Sequence, residues 1–407
     1  MTSPDVLVVG TGAAGLFAAI YAARTGARVL ALDGARSLGA KILVAGGGRC
    51  NVTHDFVDEA SYAGSSPNAI RKVLRRFDVS DTVEFFAQYG VTLKREGTGK
   101  LFPTTDRART VLDALLRAAD EAGVIIKFPR RVETIRRQND SFVVTGEWGE
   151  VSAPRLILAT GGKALPKSGS DGLGYEFART LGHSVGEQIH PALVPLILPG
   201  DHPLRELSGI AIPARLVLRS GTGKILKAFC DDLLFTHFGL SGPCALDMSR
   251  YWRAALIEDS GVRLELNVIP EHTEATFDKA LIASSHATPL AHLRTSLPER
   301  LSRMICDLAG IDPAARLGQL PRDARKSLVR SCVTVPLDVE GDRGFTHAEV
   351  TMGGVPLKEV RLETMESRVC PGLHLIGEIL DVDGRIGGYN FQWAWASGFI
   401  AGCSSFK

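Results

Sequence analysis

A short apolar run from Asp5 to Val9 leads into Gly10-Thr11-Gly12-Ala13-Ala14-Gly15, then an alanine-rich stretch to Arg24, then a second apolar run, Arg28 to Leu32, that ends in Asp33. Strand, glycine turn, helix and strand within about 30 residues make a βαβ unit. Each part has a physical reason. Gly10 permits the tight turn, Gly12 lets the backbone approach a pyrophosphate, and Gly15 lets the helix pack against the strand. Ala13 and Ala14 open a helix whose free N–H groups and partial positive charge favour phosphate. Asp33 lies eighteen residues beyond Gly15, where it would accept hydrogen bonds from ribose hydroxyls. The bland alternative, a glycine turn with no ligand, fits this strand-and-helix context poorly.

Bare backbone recurs along the chain. Glycine turns stand at 46–48, 161–162, 169–174 and 387–388, and the 43 glycines exceed the usual share of about 7%. An NAD-dependent dehydrogenase needs one such fingerprint and a separate catalytic domain. Distant segments that all return with bare backbone suit a longer cofactor, FAD.

The 407 residues leave room for two or three domains. A helix is expected over 67–90 and another over 110–122, followed by strands to about 145 and a buried strand from Leu156 to Ala159. From about residue 191 the texture changes to Pro-punctuated strands and several helices, and after 345 the first style returns. The fold class expected is therefore α/β: a Rossmann-like FAD-binding domain, of the type found in flavoproteins with two dinucleotide-binding domains, in two parts (1–190 and 346–407). Residues 191–345 would form an inserted β-rich and helical cap.

The charges nearly cancel, 47 Lys and Arg against 45 Asp and Glu, which excludes a protein dominated by phosphate attraction. Three basic clusters (71–76, 130–137 and 322–330) would form a phosphate-binding face only if they converge. Seven scattered cysteines without a C-x-x-C pair suit neither a disulfide framework nor a zinc site, so no metal is expected and a reducing cytoplasm is. With no basic leader before Asp5 and no unbroken apolar run of about 18–20 residues, neither a signal peptide nor a membrane span is expected.

The fingerprint, the segment Lys41-Ile42-Leu43-Val44-Ala45-Gly46-Gly47-Gly48-Arg49-Cys50-Asn51, and the C-terminal Gly377-Glu378-Ile379-Leu380-Asp381-Val382-Asp383-Gly384 with Gly387-Gly388-Tyr389-Asn390-Phe391-Gln392-Trp393-Ala394 together resemble the HI0933-like flavoprotein family. Members include aminoacetone oxidase-type and bile-acid enone reductase-type FAD enzymes. The resemblance covers nearly the whole chain, including Phe235-Thr236-His237-Phe238-Gly239-Leu240-Ser241-Gly242-Pro243 in the insertion. It implies that Lys41, Gly46, Gly47, Gly48, Arg49 and Asn51 run along the pyrophosphate and flavin ring. Val132, in an Arg131-Val132 strand, would meet the adenine through its backbone, and Thr160 and Gly161 would pass the adenosine half. Gly377, Glu378 and Asp381 would lie near the pyrophosphate and ribityl chain. Gly388, Asn390 and Phe391 would present backbone N–H groups to the pyrimidine edge of the flavin. Asp33 departs from the family, which more often has the longer Glu there.

Flavin chemistry leaves the protein to bind substrate and move one proton. Cys50 beside Arg49 is a candidate, since a cation lowers a thiol's pKa. His237 and Tyr389 are the others. Each has a bland reading: a small packed residue, a hydrogen-bonded structural histidine, a packing tyrosine. Trp393 and Trp395 are expected in the core. The leading expectation is an NAD(P)H-driven reductase of a conjugated C=C bond in a small molecule, with the nucleotide binding transiently because no second fingerprint appears. Rival readings are a flavin-dependent dihydrouridine-forming reductase acting on ribosomal RNA, an aminoacetone-type amine oxidase, and a redox-sensing flavoprotein without turnover. Oligomeric state is left open.

Overall fold

The computed structural model describes residues 3–406. The chain divides into two compact units, Met1–Pro191 with Ala348–Lys407, and Ala192–His347.

The first unit is built on a seven-stranded sheet. Five strands are parallel, in the spatial order Leu373–Leu375, Arg155–Leu158, Val6–Val9, Val29–Leu32, Ile125–Lys127. Two short antiparallel strands, Glu366–Ser367 and Val360–Arg361, finish one edge. Val6 to Val9 are all buried, as a strand covered on both faces requires. Counted in chain order the parallel strands run 5-4-1-2-3, so the order reverses beside Val6–Val9. Ligands of such sheets bind outside the carboxyl ends of the strands at that reversal.

Two helices flank this point. Ala13–Arg24 follows the first strand, and Tyr389–Ser404 lies against it. A Cβ on Gly398 would stand 2.7 Å from the Ala14 carbonyl oxygen, and one on Gly402 would stand 2.6 Å from that of Ala18. Small residues thus let the two backbones touch, and the rising order of the contacts makes the helices parallel. Both N-termini point the same way. Tyr389 precedes Gly398 by nine residues and Ala13 precedes Ala14 by one. At 1.5 Å per residue the C-terminal helix therefore begins about 12 Å beyond the start of the other.

The helix expected over 67–90 is two helices, Pro67–Leu74 and Val79–Gln88. Asp78 breaks it: its side chain caps the second helix by accepting from the Ser80 and Asp81 amides, and Asp81 returns the bond to the Asp78 amide. An antiparallel meander (Thr134–Gln138, Ser141–Gly146, Gly149–Ala153) follows the third parallel strand.

The second unit has its own antiparallel sheet and its own core. The central hairpin pairs Ala211–Arg219 with Ile225–Thr236, and Ile212, Ala214, Leu216 and Leu218 face inward in strict alternation. Helix Gly242–Glu258 packs on both strands, while Glu299–Ala309 and Arg322–Val333 pack on each other. Among the described residues there is no disulfide, no cluster of three metal-ligating side chains, and no helix long and apolar enough to cross a membrane.

Candidate active site

At the carboxyl end of Val6–Val9 the glycine turn is fixed by contact. A Cβ on Gly10 would meet the Ala159 carbonyl oxygen at 2.4 Å, and one on Gly15 would meet the Gly10 carbonyl oxygen at 1.8 Å. Gly12 differs: nothing lies within 4 Å of its Cβ position. It caps the helix without a side chain, so the first amides of Ala13–Arg24 receive no side-chain cap.

Asp33 is placed differently from expectation. Its Oδ2 accepts from the Thr11 amide at 2.7 Å and the Thr11 hydroxyl at 2.8 Å, and Oδ1 accepts from the Ala35 amide at 2.8 Å. Its main work is therefore to hold the glycine turn, and a ribose hydroxyl would have to use the lone pair left on Oδ1. Val132 is not in a strand, since the meander begins at Thr134. It is buried beside Arg130, whose amide donates to the Asp33 carbonyl at 2.6 Å. The backbone N–H and C=O of Val132 have no partner among the described residues, as an adenine contact would require.

Lys41 and Glu378 come together from opposite ends of the chain, Nζ to Oε2 at 2.5 Å. Glu378 Oε1 also accepts from the Thr351 amide at 2.9 Å, while the Thr351 hydroxyl accepts from the amides of Lys163 and Ala164. This network ties the segments after the fourth and fifth parallel strands to the start of the Ala40–Gly48 helix. That helix is not the simple loop its glycines suggest. It breaks at Ala45, and Gly46 and Gly47 turn left-handed, with φ of 57° and 69°.

Arg49 and Cys50 depart from expectation together. Arg49 Nη1 binds Glu96 at 2.6 Å, Asp106 lies 3.6 Å away, and the guanidinium stands 4.0 Å over the Phe102 ring. Its charge is spent there. Cys50 is fully buried, and burial pushes its thiol up to about 12 instead of down. Its left-handed φ of 62° turns the chain toward Asn51.

At the start of the C-terminal helix, Asn390 uses its side chain on its own neighbourhood. Oδ1 accepts from the Gly384 amide at 2.8 Å and Nδ2 donates to the Gly384 carbonyl at 2.9 Å. Its side chain is thus engaged, while its backbone amide and that of Phe391 lie in the first turn, where helical amides have no intrahelical acceptor. Tyr389 is buried, stacked on His54 with ring centres 4.9 Å apart. Trp393 and Trp395 are in the core, as expected, their indole N–H groups donating to the carbonyls of Gly377 and Val52. In the second unit, His237 occupies the two-residue turn between Ile225–Thr236 and Gly239–Ser241. Its ring is exposed against Phe238, and its carbonyl accepts from Arg205 Nε at 2.7 Å.

The first unit fits FAD on its own geometry. Within this unit Asn51 Oδ1, Thr160 Oγ1 and the Tyr175 hydroxyl are buried without a partner among the described residues. Thr160 follows the fourth parallel strand and Asn51 follows the kinked helix. Buried polar groups are almost always satisfied, so unsatisfied ones in the unit that carries the uncapped helix end point to a ligand, and Thr160 adjoins that turn, its Cα 3.2 Å from a Cβ placed on Gly10. Two helix N-termini offset by about 12 Å suit a cofactor with a pyrophosphate at one end and an anion-stabilised ring at the other. Tyr175, Thr11, Thr351 and Gln392 were not singled out by motif reasoning. Gln392 lay inside a quoted motif, and only the fold shows what it binds.

A family model, the HI0933-like protein Rossmann domain, matches residues 4–404. A Clostridium scindens protein named 3-dehydro-bile acid delta(4,6)-reductase is 35% identical over 97% of both chains. An Escherichia coli ribosomal RNA dihydrouridine synthase is 34% identical over 97% of this chain and 96% of its own. Among solved structures, 3-ketosteroid delta1-dehydrogenase from Sterolibacterium denitrificans superposes with a TM-score of 0.54 at 13% identity, covering 99% of each chain, which is a likeness of fold.

Proposed function

This chain belongs to the HI0933-like family of FAD-dependent oxidoreductases, and from that premise we propose that it reduces a carbon–carbon double bond conjugated to a carbonyl in a small molecule. The relative named as a bile-acid reductase and the one named as an RNA dihydrouridine synthase are equally similar to it, so similarity alone does not choose. Charge supports the small molecule. The unit Ala192–His347 holds eighteen Lys and Arg against eighteen Asp and Glu. RNA binding draws most of its affinity from a basic excess, and this unit has none. The basic clusters are also partly neutralised: Arg71 pairs with Glu59, Arg131 with Asp171 and Arg325 with Asp278.

FAD supplies the hydride when bound. The helix beginning at Tyr389 offers its N-terminal amides and partial positive charge to a reduced, anionic ring edge. The Lys41–Glu378 pair and the Thr11–Asp33 bonds hold the segments that would line the pyrophosphate and ribityl chain. Of the three candidate proton donors, Cys50 and Tyr389 are buried and His237 is exposed. Burial also holds the Cys50 thiol protonated at neutral pH, and NADH or NADPH is the transient electron donor in this reading.

Anaerobic stopped-flow on the purified yellow protein tests this reading. NADH or NADPH is expected to bleach the flavin, and a steroid-type enone to restore its colour faster than uridine-containing ribosomal RNA fragments do. Faster reoxidation by RNA would move the substrate class, and no bleaching by either nucleotide would remove the proposed donor.

A further inference from the structure

Among the buried polar atoms without a partner, the Tyr175 hydroxyl stands apart. Its residue is 3% exposed, yet the hydroxyl makes no hydrogen bond. Leaving such a group bare is a cost that folding does not normally carry. Where it sits explains why the cost is accepted. Tyr175 lies in the first turn of helix Leu173–Thr180, directly after Gly174. A Cβ on Gly174 would stand 1.8 Å from Thr160 Oγ1 and 3.3 Å from Ile379 Cδ1. The segment is therefore wedged between the chain leaving the fourth parallel strand and the chain leaving the fifth. Thr160 Oγ1, its immediate neighbour there, is unpartnered too. Glu378, Asp381 and Asp383 are close enough to act on the phenol electrostatically, and with burial they hold it protonated. A protonated phenol in this position is a donor in want of an acceptor.

We propose that Tyr175 is a cofactor-binding residue, its hydroxyl donating to an oxygen of the ribityl–pyrophosphate stretch of FAD and completing there the hydrogen bond it lacks within the protein. This rests on the assignment of FAD to the first unit. The acceptor is placed by chemistry: that stretch carries the hydroxyl and phosphate oxygens, whereas the ring would face the C-terminal helix in the proposed reading. Helix Leu173–Thr180 then becomes part of the cofactor's enclosure, with a hydroxyl satisfied only in the holoenzyme.

Tyr175→Phe keeps the ring and removes the donor. In the holoenzyme the expected result is faster release of FAD on dilution, followed by flavin fluorescence, with affinity lowered about 2- to 150-fold, the range for one hydrogen bond to a neutral or charged acceptor. The melting temperature of the variant stripped of FAD should equal or exceed that of stripped wild type, because a bare buried hydroxyl has gone. A residue that merely packs would leave FAD release unchanged, and one bonded within the protein would lower both melting temperatures alike. Either outcome overturns the proposal. Tyr175→Leu, which loses ring and donor together, separates packing from hydrogen bonding: it should lower the stripped protein's melting temperature where Phe does not. If wild type itself releases no FAD and purifies colourless, the cofactor assignment fails instead of the role of Tyr175.

Discussion

Asp33 and Thr11, twenty-two residues apart, are joined by two hydrogen bonds to one carboxylate oxygen, from the Thr11 amide at 2.7 Å and its hydroxyl at 2.8 Å. The acidic residue that closes the βαβ unit thereby shapes the glycine turn that opens it. Asp33→Ala should cost about 2–3 kcal/mol of stability, the range for hydrogen bonds to a charged group, and loosen FAD as well. Thr11→Val removes only the hydroxyl bond and should cost about 1.5 kcal/mol, the lower end of the range for a bond to a charged group. Urea unfolding of the two variants checks the order. Equal small losses would mean that Asp33 serves the ribose instead of the turn.

Two fingerprint glycines should fail in different ways. Gly12 has an ordinary φ of −75° and nothing within 4 Å of its Cβ position, so Gly12→Ala should fold as wild type does. The added methyl stands where the pyrophosphate would approach, and FAD retention should fall by about tenfold or more, the effect of losing roughly 1.4 kcal/mol of binding. A Cβ at position 15 has no such room, 1.8 Å from the Gly10 carbonyl oxygen. Gly15→Ala should therefore lower the melting temperature before any effect on cofactor is measured. Absorbance at the flavin band and thermal unfolding, run on both variants, give the comparison.

The cysteines predict a pH dependence. Burial raises Cys50 and Cys244 from an ordinary 9.0 to about 12. In the unfolded chain these thiols ionise near 9, and in the native state they stay neutral to about 12. Stability from this source is complete below pH 9 and is lost as pH rises from 9 toward 12. The slope is at most about 1.4 kcal/mol per pH unit for each thiol. Cys50→Ala should flatten the decline in urea titrations over that range. At pH 8 a disulfide-exchange reagent should label exposed Cys230 quickly and leave Cys50 untouched. Rapid labelling of Cys50 in the native protein would restore it as a reactive thiol.

Most of the first unit was legible because its rules are local. A strand followed by glycines at fixed spacing and an alanine-rich helix admits few folds, and the helices and strands of the core came with it. What escaped was set by partners distant in sequence. Nothing near Arg49 announces Glu96 and Asp106, and nothing local announces the burial of Cys50, which raises its thiol where a neighbouring cation was expected to lower it. The Asp33 carboxylate was read outward to a ligand when its bonds run back to Thr11. Tyr175 carries no motif at all; its bare hydroxyl exists only once the fourth and fifth strands lie side by side. The break at Asp78 was readable in principle, since an acidic residue three before another is a capping signal, but the apolar stripe on either side hid it.

Gln392 offers the sharpest test of how the C-terminal helix is seated. It is fully buried; Oε1 accepts from the hydroxyls of Thr53 at 2.7 Å and Thr82 at 2.9 Å, and Nε2 donates to the Phe77 carbonyl at 2.9 Å. One amide thus pins three segments beneath the turn that carries Gly388, where a Cβ would stand 2.6 Å from the Thr53 carbonyl oxygen. Gln392→Leu keeps the volume and strands those partners without water. Each bare group costs about 1–3 kcal/mol, though Thr82 retains a bond to the Asp78 carbonyl, so a loss of about 3–5 kcal/mol is expected. Adding Thr53→Val to Gln392→Leu should recover part of that loss, because replacing both partners by apolar groups of similar shape is nearly neutral. The recovery is the informative quantity: strictly additive losses in the double variant would mean that Gln392 acts through packing alone. If the network seats the helix N-terminus as argued, Gln392→Leu should also shift the flavin midpoint potential, a change that a loss of stability without movement of that helix would not produce.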